Sequence, residues 1–251
     1  MHSFPVRLPA HRLRLAALLL LLISSVWAGP VFAQDEPDPT DEDLSASERL
    51  EALIERIKLT QSQLVTMEAD FEQHKESQLL LEPEVSTGHF WYHAPDRVRW
   101  SFASPTDTLV AISGGSMLTW YRDLNRAERV DIGKQADRVM EYLSASNSLE
   151  TLQRYFSVRV TFPQNDGDPY SLQLDPRFDR VAQRIEQMAI RLHPEGFYPL
   201  YLKYVEPDGD VTEFTFENIL VNEEIADETF QIELPDDVEV RTVELGRGEG
   251  G

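Results

Sequence analysis

The chain contains no cysteine among its 251 residues. Disulfide bonds, thiol catalysis and cysteine-based metal sites are therefore excluded from it. Basic residues are also scarce, because 23 Lys and Arg residues are set against 44 Asp and Glu residues, which gives a formal net charge of −21. This balance argues against binding to nucleic acid or to anionic lipid headgroups, and it favours solubility.

A long apolar run occurs only near the amino terminus, where three arginines precede the segment from Leu15 to Val26. The run is shorter than the ~20 residues that cross a bilayer. Residues 31–33 follow it as a cleavage site, so we expect residues 1–33 to be a signal peptide and the protein to be periplasmic. No cysteine follows the run, so the chain is not itself a lipid-anchored lipoprotein.

The remainder divides into a leader, one domain and a tail. Residues 34–44 are rich in Asp, Glu and Pro, which predicts a disordered acidic leader. Residues 242–251 are rich in Gly and have nothing to bury, which predicts a disordered tail. The domain is therefore expected to occupy residues 45–241.

The domain begins with a helical pattern. Ser45 and Glu48 have the spacing of a capping box, and apolar residues follow at helical intervals, so an amphipathic helix is expected from about Ser47 to Gln61. Two short helices are expected later, over residues 135–143 and 148–156.

Elsewhere the apolar residues alternate, as they do in half-buried strands. Gly and Asn-Asp-Gly turns separate several of them, and residues 113–116 predict a hairpin turn. The predicted strands are residues 67–71, the two aromatic segments on either side of Pro95, and residues 109–112, 117–121, 158–162, 170–174, 185–192, 198–205, 211–216 and 230–234.

This order predicts an α+β domain that is mainly β. A long antiparallel meander tends to curl, so we expect an incomplete antiparallel β-barrel of about 11 strands, with the helices covering its concave face as a lid.

The sequence gives no sign of catalysis. His89 and His93 would lie about 13 Å apart on one strand, which is too far for a shared metal ion. No nucleophile elbow, phosphate-binding glycine loop or zinc-protease motif is present, and the abundant carboxylates are typical of a solvated surface. We therefore expect no enzyme activity, no metal and no cofactor.

The aromatic and methionine residues remain, and they are compatible with an ordinary core or with an apolar cavity. Aromatic residues on consecutive strands, with methionines where helices would cover the sheet, favour a cavity that could hold an acyl chain. The candidate lining residues are Phe90, Tyr92, Val98, Trp100, Phe102, Leu118, Trp120, Met140 and Met188.

A set of short motifs, each weak alone, occurs in a specific order between Leu50 and Val240. The motifs are Phe71-Glu-Gln73, Gly88-x-Phe-x-x-x-x-Pro95, Arg99-Trp100 followed by Pro105, Ser113-Gly-Gly, Trp120-Tyr121, Leu172-x-Leu-x-Pro176, Asp208-Gly209 and Phe230-x-Ile-x-Leu-Pro235. In this order they resemble those of the periplasmic outer-membrane lipoprotein carrier proteins, the LolA-like family.

The resemblance implies an open barrel with a helical lid, working as a monomer that shields the acyl chains of lipoprotein cargo. Cargo would come from an inner-membrane exporter and pass to an outer-membrane acceptor. The family often has an Arg just before the proline, where it hydrogen-bonds the lid. Here that latch position is Ala94, which removes the standard latch.

Two other functions fit the same pattern. The chain could bind free lipid or glycolipid in another envelope export pathway, or it could be a regulatory sensor of mislocalised lipoproteins. A carrier exchanges its cargo with an exporter and an acceptor, whereas a sensor would bind a transmembrane regulator stably.

Overall fold

The first helix follows the signals in the sequence. In this computed structural model, which describes residues 38–132 and 148–243, helix α1 spans Ala46–Ser62. Ser45 and Glu48 form a capping box, in which the Ser45 side chain accepts from the Glu48 N–H and the Glu48 carboxylate accepts from the Ser45 N–H at 2.8 Å. The predicted helix is confirmed, one residue longer at each end.

The strands form one sheet of twelve. They are β1 Thr66–Glu76, β2 Glu84–His93, β3 Arg97–Ser104, β4 Thr108–Ser113, β5 Ser116–Tyr121, β6 Arg126–Asp131, β7 Phe156–Thr161, β8 Tyr170–Pro176, β9 Gln187–Leu192, β10 Pro199–Val205, β11 Val211–Val221 and β12 Glu239–Val243. The other helical segments are α2 Ser148–Tyr155, α3 Asp179–Ala182 and the 3₁₀ turns Arg122–Leu124 and Asp227–Phe230.

The sheet is open. Its strand order is β12-β6-β5-β4-β3-β2-β1-β11-β10-β9-β8-β7, so β12 and β7 are the edges and β1 lies between β2 and β11. Neighbours are antiparallel except β12, which pairs parallel to β6. The predicted fold class is therefore confirmed, as an incomplete antiparallel barrel. No helix in the described ranges is long and apolar enough to cross a membrane.

The hairpin predicted at residues 113–116 is also present. Gly114 and Gly115 have φ angles of +55° and +75° between β4 and β5. Two positive φ values are required by the tight turns that match the twist of paired strands, and glycine adopts them without steric cost.

Two features of the sheet differ from the prediction. Residues 230–234 are not a strand: after the 3₁₀ turn Asp227–Phe230 the chain crosses the sheet, and Ile232 and Leu234 pack on it without pairing. Their alternation reflects burial on that surface. Strands β6 and β12 were missed, because Arg126, Glu128 and Arg129 obscure the apolar alternation in β6 and β12 is largely exposed.

The ends of the domain also differ in detail. Residues 38–44 of the predicted leader form turns, and Pro39 is fully buried. Strand β12 runs two residues into the predicted tail. The helix predicted over residues 135–143, which includes Met140, lies outside the described residues.

The sheet has two covered faces, which we call inner and outer. The inner face packs against Leu53 and Ile57 of α1 and forms the main core. The outer face carries a small separate cluster of Leu118, Ala127 and Val238, against which Trp120, Ile232 and Leu234 pack.

Candidate functional site beneath the first helix

Trp100 lies at the centre of the inner face and is 2% exposed. Its ring is surrounded by four phenylalanines, with ring centroids 4.4–6.0 Å away. The four are Phe71, Phe90, Phe214 and Phe216. Trp100 Nε1 is buried and has no hydrogen-bond partner among the described residues. Because a buried indole N–H usually finds an acceptor, the site combines a large apolar surface with an unused donor.

Gly88 makes this cluster possible. Its partner in β1 is Phe71, and a Cβ added at Gly88 would lie 2.4 Å from Phe71 Cζ and 2.2 Å from the carbonyl oxygen of Ser101. Any side chain at this position would collide with both. The glycine therefore lets the Phe71 ring lie over β2 and reach Trp100 and Phe102, at 5.0 and 4.9 Å between centroids.

Most of the candidate lining residues lie together on the inner face. Five are buried in its core, namely Phe90, Tyr92, Val98, Trp100 and Met188. Phe102 is half-buried against the same core. Met140 lies outside the described residues. Acyl-chain binding by the others remains a prediction.

Leu118 and Trp120 are on the opposite face, so their assignment to the same lining is corrected. In the register, Trp100 pairs with Val110 and Val110 with Thr119, which places Thr119 on the inner face. Side chains alternate along a strand, so Leu118 and Trp120 point outward. There they pack in the outer cluster.

The sequence interpretation did not include Phe71, Phe214 and Phe216 among the lining residues. Both segments were recognised as strands with alternating apolar residues. What was missing was the pairing of β1 with β11, which places Phe71 opposite Phe216 although more than half of the chain separates them. Alternation within one strand cannot reveal a partner that distant.

The carboxyl-terminal end of α1 is tied to the sheet by Asn222. Its Oδ1 accepts from the Val65 N–H at 2.7 Å, and its Nδ2 donates to the Gln63 carbonyl at 3.1 Å. Ala94, the latch position, contributes a backbone bond, in which its N–H donates to the Val65 carbonyl at 2.7 Å. Ala94 and Asn222 thus fix the connection between α1 and β1, and through it they restrain the carboxyl-terminal end of the lid helix α1.

The amino-terminal end of α1 is held by the segment just before it. Arg49 Nε donates to the carbonyl of buried Pro39 at 2.9 Å, and its guanidinium lies 4.1 Å from the centroid of the Phe162 ring, which follows β7. Hydrogen bonds from Thr40 lower the pKa of Asp38, with smaller contributions from Arg56 and Arg49. Helix α1 therefore extends from the start of β1 to the end of β7 and is anchored at both ends.

Among the described residues, Tyr204 brings a polar group to the inner face. Tyr204 is 2% exposed, and burial raises its pKa to about 12 although Thr212 hydrogen-bonds to it. Its hydroxyl is neutral at physiological pH. In residues 38–132 and 148–243, no group of three or more His, Asp or Glu side chains could hold a metal ion. The face offers aromatic and aliphatic surface beneath a helix.

The chain is similar in sequence to outer-membrane lipoprotein carrier proteins. Residues 62–233 match the family model of the outer membrane lipoprotein carrier protein LolA. An outer-membrane lipoprotein carrier protein of Alkalilimnicola ehrlichii is 27% identical over 175 residues, covering 70% of this chain and 75% of that protein. Its counterpart in Halorhodospira halophila is 24% identical over 171 residues, covering 66% and 74%.

Among solved structures, an uncharacterized conserved protein from Thermus thermophilus superposes with a TM-score of 0.50. The match covers 77% of this chain and 99% of that protein, at 9% sequence identity. At this identity the likeness concerns the fold alone.

Proposed function

This chain belongs to the LolA family of outer membrane lipoprotein carrier proteins, which its residues 62–233 match, and we propose that it carries lipoproteins through the periplasm. It would receive them from an inner-membrane exporter and deliver them to an outer-membrane acceptor. It would act as a monomer, by reversible burial of acyl chains rather than by catalysis, after export directed by residues 1–33.

The observation that carries this proposal is the aromatic inner face around Trp100, roofed by α1. An acyl chain needs apolar surface, and burial contributes about 0.8 kcal/mol for each methylene group. The carboxylate-rich exterior would keep such a complex soluble. Trp100 Nε1 could donate to an ester carbonyl at the head of the chain.

Entry of cargo requires α1 to move away from the sheet. Leu53 is fully buried beneath it and Ile57 is 2% exposed, so lifting the helix exposes both. The cost would be offset by acyl groups that replace these contacts. Asn222 and Pro39 anchor the two ends of α1. The helix would therefore open either by bending between these anchors or by detaching from one of them.

Trp100 on the inner face and Trp120 on the outer face provide a test of where acyl chains bind. Bromine quenches tryptophan fluorescence only at contact distance, so a brominated fatty acid should quench wild-type fluorescence. Trp100→Phe should remove most of that quenching, while Trp120→Phe, on the outer face, should preserve it. Quenching that is lost in Trp120→Phe instead, or that is absent altogether, would contradict binding on the inner face.

The nature of the cargo needs a second measurement. Native mass spectrometry of the protein purified from its own periplasm should show one lipid-modified polypeptide for each carrier. Free lipid or glycolipid alone would favour the other export function. A stable complex with a transmembrane regulator, without exchange of cargo, would favour a sensor.

A further inference from the structure

The loop between β1 and β2, residues 77–83, displays two leucines to solvent. Leu79 is 81% exposed and Leu81 is fully exposed, the highest values among the large apolar side chains of the described residues. The loop is hydrogen-bonded, because the Leu80 N–H donates to the Ser77 carbonyl at 3.0 Å and the Leu79 N–H to the Ser77 hydroxyl at 3.2 Å. A defined turn therefore presents the two side chains.

The loop lies at the end of the sheet away from the lid. Strands β1 and β2 pair from Thr66 opposite His93, next to the end of α1, to Lys75 opposite Glu84, next to the loop. A partner bound at the loop would leave α1 free to move. The turn between β10 and β11 borders the loop, since a Cβ added at Gly209 would lie 3.4 Å from Gln78 Nε2.

The surroundings of the two leucines are acidic. Carboxylates flank the loop and the neighbouring turn at Glu76, Glu82, Glu84, Glu206 and Asp208. In residues 75–84 and 206–210, Lys75 is the one basic residue. An anionic bilayer would repel this rim, whereas a protein surface with lysine and arginine around an apolar pocket would complement it.

We propose that residues 77–83 are a docking element for a membrane protein, which receives Leu79 and Leu81 in an apolar pocket with a basic rim. The proposal rests on the proposed function, in which the carrier must meet protein partners in two membranes. It concerns docking alone, so its test does not depend on cargo.

The test uses the chain from Gln34 onward and washed inner and outer membranes of the source bacterium. Wild-type protein should sediment with one of the two membranes, and Leu79→Ser/Leu81→Ser should weaken this about tenfold or more, because two side chains lose their burial. The control is Leu124→Ser/Leu220→Ser, which changes two apolar side chains that are 69% and 49% exposed elsewhere, and should bind normally. Vesicles of the extracted lipids alone should not bind.

A second variant separates apolar from electrostatic recognition. Glu82→Lys/Glu84→Lys keeps the leucines but reverses charge on the rim, and should also weaken sedimentation. Added salt should weaken wild-type binding, because the distance over which charges interact falls to about 3 Å at 1 M ionic strength.

Several results would overturn the proposal. Equal sedimentation of the leucine variant and wild type, or no sedimentation of either, would show that the loop docks nowhere in these membranes. Leucine-dependent binding to the lipid vesicles would assign the loop to the bilayer. A wild-type dimer in light scattering that the leucine variant dissociates would assign it to a second copy. Failure of acyl binding, by contrast, would overturn the carrier function and leave this measurement unaffected.

Discussion

The two faces of the sheet use similar side chains in different ways. On the inner face Trp100 is enclosed by phenylalanines, whereas on the outer face Trp120 is half-buried, with the Arg122 guanidinium 4.9 Å from its ring centroid. Tyrosines show the same contrast, because Tyr204 is buried inside while Tyr201 is half-buried outside, 4.5 Å from the Arg191 guanidinium. The inner face is built from apolar contact, and the outer face covers its aromatic rings with charged groups.

Replacing the two tryptophans should give the largest difference between the faces. Trp100→Ala should lower the free energy of unfolding by about 3–5 kcal/mol, because it removes a fully buried ring. Trp120→Ala should cost less than about half as much, since part of that ring already contacts water. Urea unfolding of both variants measures the difference. Equal losses would mean that the outer cluster is as important to stability as the inner one.

The tyrosines should separate the faces in alkaline solution. The pKa of Tyr204 is raised from 10 to about 12 by burial, so its neutral form stabilises the fold fully below pH 10, and this contribution is lost as the pH rises towards 12. Between these pH values the free energy of unfolding of Tyr204→Phe should therefore fall by about 2–3 kcal/mol less than that of the wild-type protein.

Tyr201 is the matched control. Its pKa is also raised to about 12, by burial and then by Glu213, but the residue is only half-buried, whereas Tyr204 is 2% exposed. Tyr201→Phe should flatten the decline less than Tyr204→Phe. Chemical unfolding at several pH values gives both slopes, and an equal or larger effect at Tyr201 would contradict the contrast.

The smallest expected difference in stability is between variants of two arginines, Arg49 and Arg159. Arg49→Met removes the bond to Pro39 and the contact with Phe162, and should cost about 1–2 kcal/mol. Arg159→Met breaks an ion pair with Asp175 in which the two side chains are 64% and 39% exposed, and should change stability by less than about 0.5 kcal/mol. Thermal melts with hydrogen exchange in α1 measure both. Unchanged exchange in Arg49→Met would show that Pro39 does not restrain the helix.

The sequence predicted the elements better than it predicted their partners. The capping box at Ser45 and the glycine pair at Gly114 are local, so their structures follow from neighbouring residues. Faces are harder to assign. Trp100 and Trp120 have the same kind of alternating neighbours, and only the register through β4 shows that they point in opposite directions.

Some contacts between separate segments could not be predicted from the local pattern of the sequence. Pro39 lies in a segment whose composition predicts disorder, yet it is fully buried, and its carbonyl accepts a hydrogen bond from Arg49, whose guanidinium lies over the Phe162 ring. A single buried residue among acids and prolines leaves no periodic signal. The same applies to β12, whose residues are mostly exposed and whose pairing with β6 is made by the backbone.

The position of β1 has a consequence for how the protein reaches its native state. Its two neighbours are β2, which follows at once, and β11, which comes near the end of the chain. Phe71 therefore cannot meet Phe216 until nearly all of the polypeptide is available, and closing so large a loop is slow. Until β11 is available, the protein would expose the aromatic residues of its unfinished inner face. During that interval it would itself need protection from aggregation.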